Sequence, residues 1–463
     1  MNNFDDFDML LKDKAKKDNS QIPDILDKKI DNILINLPNV KTRKRISMKV
    51  AFIAATISTI VITTTVMAST TPEVKNSISS VIYYFNNNSD TKYSADKSNF
   101  SRFNKNVGMS VEDKNIKFTV DNIAVDDNFI NVFLTIENKN TTDTNTIDKN
   151  QLFAAQILTP FLSFKVNGKV IPVSNNNDTD AYFENDKNIV KSMVHFNVSQ
   201  VSLPENFDLQ IGTKEISNIK GNWNIATSVD KSEVAIKTKT VKPNISAIVD
   251  VRGTKHNITV DKVLLSPFGN QIVLSEYLKN NHLFGLFALF DDKGNALDVI
   301  SGAENEKTLG KSTNSFEFIK GNLAMKYIDL VPINITESGK EDFQKYSISK
   351  FPITFKTSNI GSRVVDNVIF YKNTIKVNYH NEGVNAFIPD FYFYDASGNQ
   401  FLFGDGECGV STSTDKQKGE YTYTSIFTNK NIDLSKIAKI GTDSGLKNIE
   451  LLDNQKIKIN LEK

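Results

Sequence analysis

The chain has one cysteine, Cys408, and four histidines, His195, His256, His282 and His380, among 463 residues. A single cysteine excludes an intrachain disulfide, so any exported domain must be held by its core alone. No two histidines stand three or four apart, and Cys408 has no cysteine neighbour, so no local metal-ligand spacing exists. Cys408 lies in the glycine-rich run Gly404-Asp405-Gly406-Glu407-Cys408-Gly409, where no nearby motif supplies the base a nucleophile needs. His195 falls in an alternating run and reads as structural. Phosphate-cradling glycine loops and nucleophile elbows are missing. The runs Asp291-Asp292-Lys293-Gly294-Asn295 and Asp395 to Asn399 lack the alternating acids and closing glutamate of a calcium loop, so they read as hairpin turns. An excess of one charge is also missing. Lys plus Arg is 55, Asp plus Glu is 54, and the net charge of +1 gives no electrostatic case for direct nucleic-acid binding. The expectation is no enzyme, no cofactor and no metal.

Long hydrophobic runs are scarce, which makes the one present informative. Residues 50–68, VAFIAATISTIVITTTVMA, carry no charge, proline or glycine. As a helix they would span roughly 28 Å, close to the hydrocarbon core of a bilayer. Their hydroxyls can bond back to carbonyls one turn earlier. Lys41, Arg43, Lys44, Arg45 and Lys49 precede the run, while the fifteen residues after it hold only Glu73 and Lys75. The positive-inside rule then places the N-terminus in the cytoplasm and the bulk of the chain outside the cell membrane, with lipid as a partner. Two rival readings are a cleaved signal peptide, with Val66-Met67-Ala68 as its site, and a buried helix of a soluble core. The roughly fifty residues ahead of the run disfavour the first, and the lack of a polar stripe disfavours the second.

Before the run, two helical patterns carry apolar stripes. Phe4, Phe7, Leu10 and Leu11 form the first. Ile22, Ile25, Leu26, Ile30, Ile33, Leu34 and Leu37 form the second, between Pro23 and Pro38. Short helices of this kind are marginal alone. Either they pack on each other or on the inner membrane face, or they dock on a cytosolic partner, and periodicity leaves both open.

After the run, Thr71-Pro72 opens a helix with Val74, Ile78, Val81, Ile82 and Phe85 on one face. Residues 86–106 are polar and read as a linker. Beyond them the period changes to two. Lys117 to Ile123 and Phe129 to Ile136 flank the polar turn Asp126-Asp127-Asn128; Asn167-Gly168 suits a type I′ hairpin; Trp223, the only tryptophan, reads as an interior anchor. Ile258-Thr259-Val260-Asp261-Lys262-Val263 echoes Phe118-Thr119-Val120-Asp121-Asn122-Ile123. Leu286 to Asn295 resembles Phe391 to Asn399, and Asn367 to Tyr371 with Thr374 to Tyr379 opens a third unit. The expected fold is mainly β, with tandem immunoglobulin-like β-sandwich modules. The expected segments are a cytosolic helical tail (1–47), a transmembrane helix (48–68), a juxtamembrane helix and linker (69–106), and β modules over 107–238, 239–360 and 361–463.

The segments Asn19-Ser20-Gln21-Ile22-Pro23-Asp24, Lys28 to Leu34 and Leu37-Pro38, then the basic run and the spanning helix, resemble a Gram-positive single-pass membrane-protein family. The hairpin Phe118 to Ile136, closing at Gly221-Asn222-Trp223, looks like that family's ectodomain of unknown function. Ile258 to Val263 with Leu265-Ser266-Pro267-Phe268-Gly269 is similar to a second uncharacterised domain often attached to it. Members often accompany extracytoplasmic-function sigma factors and are taken as anti-sigma-like regulators. The resemblance implies a sigma factor held by the tail, through Phe7, Leu10, Leu11, Ile25, Leu26, Ile30, Ile33 and Leu34, and an ectodomain that senses an unknown envelope ligand. No His or Cys precedes residue 195, so such binding would be free of zinc. The rival function is an envelope-facing binding or adhesion protein that its N-terminal helix anchors; an exported enzyme is a third.

Overall fold

A computed structural model describes residues 72–88, 93, 96–139, 161–172, 178–184, 188–277, 284–307, 311–341, 344–385, 390–401, 409–416, 418–427, 433–442 and 445–462. The apolar run 50–68, the tail, His282 and Cys408 lie outside them. The chain forms two compact units, residues 1–67 and Ala68–Lys463, and the described residues belong to the second. Among them no helix is long and apolar enough to cross a membrane. The unit is mainly β, with several sheets.

Helix α1 (Pro72–Asn87) buries Val81, Tyr84 and Phe85, spaced so that one face meets the protein. Helix α2 (Lys97–Arg102) occupies the stretch expected to be a linker, because Phe100 buries completely and anchors it. The first sheet orders β1 (Lys105–Asp113), β2 (Ile116–Val125), β3 (Phe129–Asn138), β7 and β6. A second sheet orders β5, β4, β8 and β9, where β4 is Ser163–Val166, β5 Lys169–Val170, β6 Asp178–Phe183, β7 Ile189–Asn197, β8 Asn206–Ile216 and β9 Ile219–Asp230. Both sheets close on one apolar core that includes Trp223, whose indole N–H donates to the Ile116 carbonyl at 2.9 Å. Strands β8 and β9 alternate buried and exposed residues, as a sheet with one wet face should. Strands β2 and β3 are buried on both faces because α1 and α2 cover the outer side.

The short helix α3 (Ser232–Ala235) leads into the second module. Its first sheet holds β10 (Lys239–Val241), β11 (Ile245–Val251), β12 (Thr254–Leu265), β13 (Asn270–Tyr277), β16 and β17; its other sheet begins with β14 (Phe287–Phe290) and β15 (Ala296–Leu297). Strands β16 (Val299–Lys307), β17 (Lys311–Phe318) and the long β18 (Tyr327–Glu341) follow. The third module comprises β19 (Gln344–Ser347), β20 (Ile353–Ser358), β21 (Gly361–Tyr371), β22 (Thr374–Gly383), β23 (Phe391–Asp395), β24 (Gly409–Asp415), β25 (Glu420–Ile426) and β26 (Ile437–Thr442). The chain then turns back. Strands β27 (Gly445–Leu451) and β28 (Ile457–Asn460) both pair with β18, so Ile457, Ile459 and Leu461 finish the core of the second module.

The same strand plan recurs three times. β2–β3–β7, β12–β13–β17 and β21–β22–β25 are equivalent antiparallel triplets, and β4·β8, β14·β18 and β23·β26 are equivalent pairs in the facing sheets. The repeat Thr119-Val120-Asp121-Asn122 and Thr259-Val260-Asp261-Lys262 has a physical meaning. Register slips by one residue between Val120 and Asn122, and again between Val260 and Lys262, so each aspartate is the extra residue of a β-bulge. The third copy is Val365-Asp366-Asn367, with the same slip. The two Asp/Gly turns also match. Asp291 and Asp395 each accept the amide and side chain of an asparagine four residues on, at 2.8 to 2.9 Å, so these carboxylates fasten their own turns.

Candidate functional site

The tail residues Phe7, Leu10, Leu11, Ile25, Leu26, Ile30, Ile33 and Leu34 all lie outside the described residues. What the described part places together is a junction of all three modules, and its hub is Asp126-Asp127-Asn128, expected from sequence only as a polar turn. The Asp126 carboxylate accepts the amides of Asn128 and Phe129, both at 2.7 Å, and the hydroxyl of Ser266 in the second module. Asp127 pairs with Lys231 and accepts from Thr240 at 3.1 Å, which holds the connecting segment. The Asn128 amide donates to the Gly269 carbonyl at 2.6 Å. Three consecutive side chains thus bind three points across the boundary.

The turn that receives them is Leu265-Ser266-Pro267-Phe268-Gly269, between β12 and β13. It pushes Phe268, fully buried, into the aromatic cluster under α1 and α2. The Phe268 ring stacks on Phe100 with centroids 5.1 Å apart and planes 11° from parallel. The Asn99 amide donates to the Pro267 carbonyl at 2.8 Å. Gly269 has φ +145°, which L side chains rarely adopt, and a Cβ there would stand 2.5 Å from a Glu317 oxygen, so a side chain would strain the turn and displace Glu317.

The third module adds Lys416, just after β24. Its ammonium lies 2.7 Å from Glu317 on β17, 3.9 Å from Asp96 before α2, and donates to the Phe268 carbonyl at 2.9 Å. Burial pulls the Lys416 pKa down, but Glu317 and Asp96 more than offset that and leave it raised. Burial also raises Asp96 to about 6, with Lys416 opposing the rise, and raises Asp126 to about 6, with the Ser266 hydrogen bond opposing it.

A cleft of about 600 Å³ opens beside this cluster. Asp96, Arg102 and Phe103 of the first module, Pro267 and Lys320 to Ala324 of the second, and Lys416 of the third line it together with Lys237 of the connection. Lys320 pairs with Asp298 at 3.0 Å, and Asp298 also accepts the Tyr421 hydroxyl at 2.9 Å, a second tie between modules two and three.

The three described histidines each pair with a nearby polar side chain. His195 bonds Asn131 and lies 3.9 Å, centroid to centroid, from the Phe129 ring. His256 meets Glu276 at 2.7 Å, and His380 meets Asp366 at 3.0 Å. Among the described residues no three His, Cys, Asp or Glu side chains could hold a metal ion. The Phe268 motif and the Asp126 turn are both legible in the sequence, but no local pattern there shows that they meet. Arg102, Lys237, Lys320 and Lys416 carried no local signal at all.

Residues 42–138 match the family described as Domain of unknown function (DUF4179), and residues 238–357 match the Family of unknown function (DUF5643). The first match runs from the basic segment through the apolar run, both helices and β3. The second begins at the inter-module connection and ends within β20. No curated protein matches. One similar solved structure is "the conserved domain protein from Bacillus anthracis", at 14% identity and a TM-score of 0.37, covering 79% of this chain and 93% of that one. Another is the N-terminal eight Ig domains of Down Syndrome Cell Adhesion Molecule, at 10% identity and a TM-score of 0.12, covering 72% of this chain and 39% of that one.

Proposed function

We propose that this chain is a single-pass membrane regulator of the anti-sigma type. Its tail, residues 1–47, binds a sigma factor without zinc on the cytoplasmic side. Residues 48–68 cross the membrane, and three immunoglobulin-like modules outside it report an envelope condition. The observation that supports a sensor over a passive anchor is the place of α1. The helix that follows the apolar run in sequence shares one aromatic core with the first module and with Phe268 of the second. Tyr84 of α1 packs edge-on against Phe133 at 5.4 Å, and the chain between Phe85 and Phe268 is linked ring to ring through Phe100. A shift of the second module against the first therefore repacks the helix nearest the membrane, which is the mechanical property a transmembrane relay needs.

The test is capture of the full-length chain from its native host in mild detergent. The wild type should retain a sigma factor, and a Leu26→Asp, Ile30→Asp variant at equal abundance should retain at least tenfold less. A wild type that retains none, or a variant that retains as much, sinks the reading.

A further inference from the structure

The cleft at the three-module junction holds positive charge that the protein does not use. We propose that it binds a small phosphate-bearing ligand that also carries an apolar or aromatic group. Arg102 and Lys237 line the cleft, and neither has an ion-pair partner among the described residues. The other two cations there are engaged, Lys320 with Asp298 and Lys416 with Glu317. Asp96 is the one carboxylate in the described lining, and the Lys416 ammonium already faces it at 3.9 Å. Positive charge is in excess even with Asp96 ionised.

Backbone donors sit on the same wall. Lys320 adopts φ +67°, which turns the chain, and the N–H groups of Gly321, Asn322 and Leu323 after it have no acceptor among the described residues. Successive free N–H groups beside an arginine and a lysine suit the several oxygens of a phosphate better than a single-point anion. The remaining wall mixes the polar Asn99, Ser266, Asn270 and Asn322 with an apolar patch. Phe103 carries the Arg102 guanidinium 4.9 Å above its ring, Pro267 lines the same cleft, and Leu323 is 42% exposed. A ring or short apolar chain attached to the phosphate would cover that surface. Such a ligand touches Arg102 and Phe103 of the first module, Lys237 of the connection, and Pro267 and Leu323 of the second, so it binds best when these are held together and shifts the population toward that arrangement. The binding stands without the sigma-factor reading; only its meaning as a signal rests on that reading.

The test uses the full-length chain in neutral detergent, titrated with phenyl phosphate, inorganic phosphate and benzyl alcohol by calorimetry and thermal unfolding. Phenyl phosphate should bind saturably, more weakly at high salt, and raise the melting temperature, while benzyl alcohol should do neither. Inorganic phosphate should bind more weakly than phenyl phosphate; equal affinity would assign the site to the free ion and overturn the apolar half of the proposal. Arg102→Gln with Lys237→Gln alters two exposed side chains, so the unliganded melting temperature should hold while affinity falls at least tenfold. Arg102→Lys with Lys237→Arg should keep most of the affinity. If the double variant fails to fold, each single variant carries the same comparison. Benzyl alcohol binding as well as phenyl phosphate, unchanged affinity in the glutamine variants, or no binding at millimolar phenyl phosphate overturns the proposal. The tail-capture experiment above reads a different segment, so its failure and this one are distinguishable.

Discussion

Asp96 and Asp126 are carboxylates placed where burial makes ionisation expensive. Asp96 has an oxygen without a hydrogen bond and titrates near 6 in the folded chain, against 3.8 for the free group. A raised folded pKa means the folded state holds its proton longer than the unfolded one. The stability this group contributes is therefore full below the unfolded value and declines as pH rises through about 6. Asp96→Asn removes that decline. The stability of the variant relative to wild type should improve by roughly 2 to 3 kcal/mol between pH 4 and pH 7 in urea titrations. A constant difference across that range would mean that Asp96 is not desolvated as the structure has it. At the neighbouring residue, Phe268→Ala empties a site between two modules. It should cost roughly 3 to 5 kcal/mol and speed proteolytic cleavage in the connection around residues 236–244. Unchanged cleavage would show that the modules do not depend on this contact.

At the scale of elements, the return of β28 is the least expected feature. A strand at the very end of the sequence fills a core begun two hundred residues earlier, with Ile459 fully buried beside Ile328 and Leu330. Ile459→Ala should lower stability by roughly 2 to 5 kcal/mol. Hydrogen exchange should show the loss in β12 and β13 before it appears in β2 and β3. Equal loss in both would indicate one cooperative core rather than two. The bulges show how far periodicity reaches. The first two were visible as a sequence echo because the residues before them also alternate. The third, Val365-Asp366-Asn367, follows Arg363, a buried cation 5.6 Å from the Tyr379 ring, and that departure hid it. Helix α2 was hidden for a similar reason, since six mostly polar residues carry no stripe and its anchors, buried Phe100 and the Asn99 bond to Pro267, act at long range.

Across the whole molecule, the modules are joined rather than strung. β18 pairs with β28 in one half and β27 in the other, so the facing sheet of the second module continues into the first sheet of the third. Lys416 closes the same assembly from the other side. Lys416→Met would leave Glu317 and Asp96 buried without their cation, at a cost of roughly 3 to 5 kcal/mol near pH 8. The penalty should shrink near pH 5, where Asp96, already raised by burial to about 6, can take up a proton. Guanidinium titrations at both pH values check this, and a penalty independent of pH would refute the role given to Lys416.

The sequence by itself determined the β period, the hairpin turns at Asn167-Gly168 and at the two Asp/Gly runs, the interior place of Trp223, and a helix beginning at Pro72. Each of these follows from interactions within a few residues: pleat, turn dihedrals, a capping residue, a stripe on one face. Tertiary structure alone decided that Asp126, Asp127 and Asn128 reach across a module boundary, that Phe268 leaves its own module for another's core, and that Lys416 meets Asp96. Those partners lie from about a hundred to three hundred residues apart, and no local pattern records a contact whose cause is the packing of one finished sheet against another.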